Sequence, residues 1–189
     1  MNIIAKDSVM TIRQMEENGR DLSQYLKWMT DPETMRYWDG MTMHFTYEKV
    51  LEKHRKRIAE GVTPCIIEYC GESIGYCQFY ELDAEEFGEE FARFVRPEEK
   101  GMGIDIFLGA VDKRDQGIGT SVMKLLTRGL FEQYDADVLM IDPKIHNLRA
   151  IRCYEKAGFR KWFVIPQHEE QDGILHDSQI MGMRKSEQA

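Results

Sequence analysis

Lys113-Arg114-Asp115-Gln116-Gly117-Ile118-Gly119-Thr120 is a short polar, glycine-rich stretch that joins two apolar segments of the chain. The segment before it, residues 104–109, has the pattern of a β-strand, and residues 120–134 after it have the pattern of an amphipathic helix. A loop that turns from a strand into a helix through two glycines leaves backbone N–H groups unpaired at the positive end of the helix dipole. Such a loop suits a phosphate or pyrophosphate group.

Two common phosphate-binding loops do not match this stretch. A P-loop requires Gly-x-x-x-x-Gly-Lys-Ser/Thr, and no glycine here is followed by lysine and then serine or threonine. A dinucleotide-binding loop requires Gly-x-Gly-x-x-Gly, and Val122 stands where the third glycine would be. The remaining pattern, Arg-x-x-Gly-x-Gly, resembles the pyrophosphate loop of the GCN5-related N-acetyltransferases, which hold acetyl-CoA through backbone amides. Simple turn chemistry is the alternative explanation.

The composition is that of a single packed domain. The chain has 189 residues, of which 42% are hydrophobic and 11% aromatic, and no proline- or glycine-rich linker divides it. We expect one domain over residues 1–189, with residues 185–189 as a frayed tail. No apolar stretch approaches the roughly 20 residues that span a bilayer, and residues 1–10 have too little apolar length for a secretory signal. We therefore expect a cytoplasmic protein.

Charge and the metal-binding residue types exclude several kinds of partner. The net charge of −8 argues against nucleic acid or an anionic membrane surface and favours a cationic small molecule. The four cysteines form no Cys-x-x-Cys pair, and the five histidines form no His-Glu-x-x-His. We therefore predict no metal site and no disulfide framework.

The pattern of apolar residues predicts the element order β-α-α-β-β-β-loop-α-β-α-β-β. The helices are predicted at residues 20–30, 46–60, 120–134 and 147–157. The strands are predicted at residues 9–13, 63–69, 73–80, 104–109, 137–141, 159–165 and 178–183. An acidic turn over residues 168–177 is expected to join the last two strands. The strands on either side of the glycine-rich loop and its helix form a parallel βαβ unit, whose ligands belong at the carboxyl ends of the strands.

Three acidic or aromatic features allow both a structural and a functional interpretation. Residues 81–99 interleave carboxylates with phenylalanines, and they form either a solvated insertion or a negatively charged lid over a polycation. Trp38 lies in the segment Tyr37-Trp38-Asp39-Gly40, where it either fills the core or stacks on a substrate. Asp105 interrupts an apolar strand, and a carboxylate there is costly unless it is solvated or paired.

A second motif strengthens the resemblance to the GCN5-related N-acetyltransferases. Residues 147–159 have the pattern Asn-x-x-Ala-x-x-x-Tyr-x-x-x-Gly-Phe, which in that family packs along the pantetheine arm of coenzyme A. With the glycine-rich loop at the correct separation, the resemblance covers nearly the whole chain. It implies an α/β (α+β) fold with a mixed central sheet of about seven strands flanked by about four helices.

Within that family the chain looks most like the aminoglycoside 6'-N-acetyltransferases. Ile104-Asp105, Asp142-Pro143 and the helix at residues 147–154 carry this likeness. It implies transfer of the acetyl group of acetyl-CoA to the 6'-amino group of an aminoglycoside, by direct attack in a ternary complex of a monomer or homodimer. Other acceptors stay open: a polyamine, the lysine of a siderophore precursor, or a protein N-terminus. A second open alternative is that the chain is a non-catalytic sensor that binds acyl-CoA.

The resemblance also implies roles for particular residues. Asp105 would accept the ammonium proton, directly or through water, and Tyr154 would protonate the leaving thiolate. Acetyl-CoA is expected to be held by Phe107, Leu108, Arg114, Gln116, Gly117, Ile118, Gly119, Thr120, Asn147 and Tyr154. The acceptor is expected to be bound by Trp38, Tyr80, Glu81, Asp105, Asp142 and Asp177. For the last two, a cap on the turn before Pro143 and a surface turn acid are the structural alternatives.

Overall fold

The computed structural model describes residues 2–82 and 88–187, which contain both strands and helices. The strands are β1 (Ile3–Lys6), β2 (Met10–Gln14), β3 (Thr63–Tyr69), β4 (Glu72–Glu81), β5 (Gly101–Leu108), β6 (Val138–Ile141), β7 (Arg160–Gln171) and β8 (Ile174–Arg184). The helices are α1 (Gly19–Met29), α2 (Pro32–Met35), α3 (Tyr47–Ala59), α4 (Gly88–Phe91), α5 (Ile118–Gln133) and α6 (Leu148–Ala157). The strands form one sheet in the order β1-β2-β3-β4-β5-β6-β8-β7.

The sheet has eight strands where about seven were expected, because β1 was not predicted. β1 has only four residues, too few to show an alternating pattern, and it is held by antiparallel pairing with β2 and by packing under α5. A Cβ at Gly129 of α5 would lie 2.7 Å from the carbonyl oxygen of Ile4, so the helix needs glycine to lie this close to the strand. The four predicted helices correspond to α1, α3, α5 and α6, and the four-residue helices α2 and α4 were also not predicted.

The predicted acidic turn over residues 168–177 is wrong. β7 and β8 continue through this segment, with Glu169 opposite His176 and Gln171 opposite Ile174. The turn is only Asp172-Gly173, whose φ angles of 53° and 78° fit a two-residue hairpin turn. The end of β7 is polar over residues 167–171, and β8 begins with two consecutive apolar residues, Ile174 and Leu175, so neither end shows the apolar alternation by which a strand is recognised.

β5 and β6 are the only parallel pair among the described strands, and they separate soon after they meet. Their pairing is confined to Gly101–Gly103 against Val138–Met140. Beyond Gly103, β5 continues to Leu108 with β4 as its one partner strand in the described residues. The gap between the carboxyl ends of β5 and β6 is therefore open to a ligand, as expected for a parallel pair.

Apolar side chains cover both faces of the sheet. α5 and α6 lie on one face over a core that includes Ile12, Phe79 and Ile104. α1 covers the other face over Ile66 and Tyr76. In the part of the chain that the structure describes, no helix is both long and apolar enough to cross a membrane.

Two segments of the predicted domain, the acidic insertion at residues 81–99 and the tail at residues 185–189, lie partly outside the described residues. Residues 83–87 of the acidic insertion are among these, so the lid hypothesis for residues 81–99 falls partly there. Lys185–Glu187 form a single 3-10 turn, in which the Lys185 N–H donates to the carbonyl of Asp137 at 3.0 Å. Residues 188–189 of the predicted tail also lie outside the described residues.

Candidate active site

A cavity of about 580 Å³ opens where β5 and β6 diverge. The predicted site residues that line it are Trp38, Asp105, Phe107, Leu108, Arg114, Gly117, Gly119, Thr120, Asp142, Asn147 and Tyr154. Its lining does not include Tyr80, Glu81, Gln116, Ile118 or Asp177. The fold thus brings most of the predicted residues of both motifs to one place.

The glycine-rich loop forms the start of α5 at one end of this cavity. Gly117 is the residue before the helix and has φ +79°, a left-handed conformation that glycine adopts without strain. No side chain in the described residues caps this helix start, and its first turn contains no acid. The first backbone N–H groups of a helix have no partner within the helix, so they can donate to an anion here.

Gly119 permits a close approach between the two motifs. A Cβ at this position would lie 3.3 Å from Sγ of Cys153 on α6, and the Oγ1 of Thr120 is 3.5 Å from the same sulfur. A larger residue at 119 would push α6 away from α5. The second glycine of the motif is therefore explained by packing between the helices as well as by anion binding.

Arg114 ties the loop to the end of β5. Its Nε and Nη2 both donate to the carbonyl oxygen of Leu108, at 2.9 and 2.7 Å, and Nη2 lies 3.2 Å from Oγ1 of Thr34. The side chain of Gln116 turns back to donate to the carbonyl of Asp112. These contacts give both residues a structural role, and contact of either side chain with a pyrophosphate stays a prediction.

α6 brings a row of basic side chains to the same end of the cavity. Arg149, Arg152 and Lys156 line it at spacings of three and four residues, which place them on one face of the helix. Asn147 caps the helix by accepting from the Ala150 N–H at 3.2 Å. The three basic residues were not predicted as site residues, although their helical spacing can be read from the sequence.

The opposite end of the cavity is acidic. Asp105, Asp142, Glu169 and Asp39 line it, and the ammonium group of Lys144 lies 2.7 Å from Oε2 of Glu169. Burial, together with the charges of Asp105 and Glu169, raises the pKa of Asp142 to about 8. Glu169 and Asp39 were not predicted as site residues, and Glu169 had been placed in a surface turn. A cation that enters this end would relieve the repulsion between the carboxylates.

A buried hydrogen-bond chain orients Asp105. The side-chain amide of Gln78 donates to Oδ2 of Asp105 at 2.6 Å, and the hydroxyl of Tyr76 donates to Oε1 of Gln78 at 2.7 Å. Burial raises the pKa of Asp105, although the bond from Gln78 acts in the opposite direction. Gln78 was not predicted, because its place opposite Asp105 depends on the register of β4 against β5.

Tyr154 lies on the cavity-facing side of α6 and is only 7% exposed. Burial, with smaller contributions from the charges of Cys153, Asp105 and Asp142, raises the pKa of its phenol well above the ordinary value. The hydroxyl therefore stays protonated at neutral pH and can act as a proton donor.

Trp38 combines the two roles that were considered for it. Its ring meets Phe107 edge to face at a centroid distance of 4.9 Å and Tyr76 at 5.8 Å, so it packs on the core. The side chain is half-buried, and it also lines the cavity. The indole can therefore offer one surface to a ligand while the core fixes its position.

The predicted residues outside the cavity have local partners. A Cβ at Gly103 would lie 2.5 Å from the ring of Tyr80, so this tyrosine covers the glycine in the neighbouring strand. Glu81 pairs with Lys100 at 3.3 Å, and Asp177 accepts from the backbone N–H of Gln167 at 2.9 Å. Ile118 is buried in the core.

Three potential metal ligands meet at the acidic end. One ligand atom each from Asp142, His168 and Glu169 lies within 4.8 Å of the others. The ammonium group of Lys144 already occupies the side of Glu169 at 2.7 Å and would repel a metal ion. Because one of the three potential ligands is already paired with this lysine, we make no metal assignment.

Comparisons with known proteins agree with this geometry. Residues 17–165 match the family described as acetyltransferase (GNAT) domain. The aminoglycoside N(6')-acetyltransferase type 1 of Klebsiella pneumoniae is 35% identical over 162 residues, which cover 83% of this chain and 76% of that protein.

Two solved structures of AAC(6')-Ib resemble the fold. The complex with ribostamycin and coenzyme A has a TM-score of 0.77 and 29% identity, and the match covers 95% of both chains. The complex with coenzyme A and kanamycin has a TM-score of 0.75 and 28% identity, over 94% of this chain and 95% of that one. The chain therefore belongs to the GNAT family of acetyltransferases.

Proposed function

We propose that this protein transfers the acetyl group of acetyl-CoA to the 6'-amino group of an aminoglycoside, by direct attack in a ternary complex. The observation that carries the proposal is the polarity of this cavity, which runs from an uncapped helix start and basic side chains to a cluster of carboxylates. The aminoglycoside N(6')-acetyltransferase relative and the AAC(6')-Ib structures support the same reaction.

The basic end fits acetyl-CoA, which supplies the thioester when it is bound. The free N–H groups at the start of α5, with Arg149 and Arg152, would hold its phosphates. Beyond Gly103, the edge of β5 that faces away from β4 has no partner strand in the described residues, so its backbone can bond the pantetheine amides. N–H groups near Phe107 and Leu108 would stabilise negative charge on the carbonyl oxygen.

The acidic end fits an acceptor with several ammonium groups. Asp39, Asp105, Asp142 and Glu169 line this end together. Lys53 already pairs with Asp39 and Lys144 with Glu169, so ammonium groups of the acceptor would bind Asp105 and Asp142 and would share the other two carboxylates with these lysines. Trp38 offers an aromatic surface for a sugar ring. Such a site would bind a polyamine sugar far better than an amine with one charge, because several charge-assisted hydrogen bonds act together.

The chemistry requires the nitrogen to lose two protons on the way to the amide and the leaving thiolate to gain one. Asp105 accepts a proton from the attacking ammonium group, directly or through water, and its raised pKa makes it a better base than an ordinary carboxylate. The amine nitrogen forms a bond to the carbonyl carbon, and the bond from that carbon to sulfur breaks. As the carbon–sulfur bond breaks, the nitrogen loses its second proton to solvent. Tyr154 donates its hydroxyl proton to the leaving thiolate and is reprotonated from solvent, so no covalent acyl-enzyme is needed.

A thiol-release assay with acetyl-CoA tests the proposal. Kanamycin and tobramycin should release coenzyme A rapidly, whereas spermidine, lysine and an N-terminal peptide should do so slowly. NMR of the kanamycin product should show acetylation at the 6'-amino group. Fast turnover of spermidine or of the peptide, with silence on both aminoglycosides, would refute the proposal.

A further inference from the structure

The tip of the β7–β8 hairpin is bonded to the loop that follows α2. Oδ2 of Asp172 accepts from the N–H of Met41 at 2.8 Å, and Oδ1 accepts from the N–H and the Oγ1 of Thr42 at 2.8 and 2.7 Å. The amide of Gln171 donates to the carbonyls of Met35 and Arg36, at 3.3 and 3.0 Å. We call these contacts the hairpin clasp.

The backbone on both sides is specialised for this contact. Gly40 has φ +92°, and a Cβ there would lie 2.5 Å from Oδ1 of Asp172, so the loop can reach the hairpin only with glycine at this position. Asp172 itself has φ +53° in the hairpin turn. Gln171 is 8% exposed, and the Met35 carbonyl to which it donates also accepts from the Gly40 N–H at 2.9 Å, so the same oxygen binds the loop and the hairpin.

The clasp joins the two walls of the acidic end of the cavity. The loop between its anchor points carries Tyr37, Trp38 and Asp39, all of which line the cavity. The hairpin carries Glu169 on the facing wall, two residues before Gln171. The relative position of Trp38 and Glu169 therefore depends on the contact between hairpin and loop.

We propose that Asp172 and Gln171 are positioning residues for the acceptor. By holding the loop against the hairpin, the clasp closes one end of the groove, so that the site takes a compact aminoglycoside and excludes an extended polypeptide. This inference rests on the proposed function. Asp172 and Gln171 do not line the cavity, so they act through Trp38, Asp39 and Glu169.

Kinetics with two substrates separate this role from a general effect on folding. Asp172→Ala removes three hydrogen bonds from the loop, and Gly40→Ala disturbs the same contact from the other side. In either variant we expect the KM for kanamycin to rise about tenfold, with the KM for acetyl-CoA unchanged within about twofold, because only acceptor binding is affected.

Asp135→Ala is the matched control. Asp135 is an exposed aspartate with φ +53° at the turn after α5, away from the cavity. The same kind of backbone strain is thus altered without touching the clasp, and both KM values should stay at the wild-type level. The double variant of Gly40 and Asp172 should be no worse than the poorer single variant, because the two changes break one contact.

Amide hydrogen exchange gives a readout that does not depend on turnover. The N–H groups of Met41 and Thr42 should be protected in the wild type and should lose protection in Asp172→Ala, while the amides of α5 keep theirs. Unchanged protection, or equal increases in both KM values, would overturn the inference. If the wild-type protein is inactive on aminoglycosides while its Met41 and Thr42 amides are protected from hydrogen exchange, the proposed function is refuted instead.

Discussion

At the scale of single residues, the acidic end of the cavity is defined by carboxylates held close together in a poorly solvated place. Asp105 is fixed by Gln78, while Asp142 has Glu169 and Lys144 as its neighbours. Their raised pKa values follow from burial and mutual repulsion, which are the conditions under which a carboxyl group can serve as a base near neutral pH.

Asp105→Asn tests the base. We expect kcat for kanamycin to fall about 10²- to 10⁴-fold, the usual contribution of a positioned general base, because the amide cannot accept the proton. Binding of acetyl-CoA, measured by calorimetry, should be nearly unchanged, and Asp135→Asn should behave as wild type. A kcat in the Asp105 variant equal to that of the wild type would refute the base assignment. A wild-type protein that binds acetyl-CoA without any turnover would favour the sensor alternative.

Asp142 makes stability depend on pH in an unusual direction. Its pKa rises from the ordinary value of 3.8 to about 8 in the folded chain, so the folded state binds this proton more tightly than the unfolded state. Stability is therefore lost as pH rises from about 4 through about 8. Asp142→Asn should melt at least about 2 °C above the wild type at pH 9, equivalent to roughly 1 kcal/mol in a chain of this size. The difference should disappear near pH 4, and a constant difference across this range would contradict the assignment.

At the scale of elements, α5 and α6 together form the basic end of the cavity, where we propose that acetyl-CoA binds. Gly119 and Cys153 set their close approach, and Gly117 begins α5 without a capping side chain in the described residues. The basic face of α6 then completes an anion site that the helix start alone would not provide.

Arg152→Ala and Lys156→Ala test the basic face of α6. Each should raise the KM for acetyl-CoA several-fold, by about 1 kcal/mol of lost charge-assisted bonding, and leave the KM for kanamycin unchanged. Arg128→Ala, which removes an exposed arginine from α5 outside this cavity, is the control. A change in the KM for kanamycin, with none for acetyl-CoA, would show that these side chains serve another role.

At the scale of the whole molecule, the acidic balance and the cavity polarity act in the same direction. The net charge of −8 would attract a polycation over long range, and in the proposed function the acidic end would bind it at short range. Helices cover both faces of the sheet, so the core holds β5, which carries Asp105, and β6, which ends immediately before Asp142.

Ionic strength should therefore affect the two substrates differently. Raising salt from about 0.05 M to about 0.5 M shortens the Debye length from roughly 14 Å to roughly 4 Å, so the KM for kanamycin should rise several-fold. An acceptor with a single positive charge should show a much smaller change under the same conditions. Equal salt effects on both acceptors would mean that the charge of the protein does not contribute to acceptor binding.

The sequence by itself determined the family, the mixed sheet with its four longer helices, and most of the coenzyme end. These features depend on local chemistry: Gly117 and Gly119 at a helix start, and Asn147 and Gly158 at the two ends of α6. The fold and acetyl-CoA predictions are confirmed by the family match and by the solved relatives that contain coenzyme A.

Only the tertiary structure decided the acceptor end. Gln78 meets Asp105 through strand register, Glu169 reaches the cavity because β7 extends past its expected end, and Asp172 meets Thr42 across 130 positions of sequence. Tyr80 and Asp177 were given substrate roles from their residue types, and the fold places them beside other partners. The physical reason is that a polar side chain carries no periodic signal, so its neighbours are known only when separate strands and loops have been brought together.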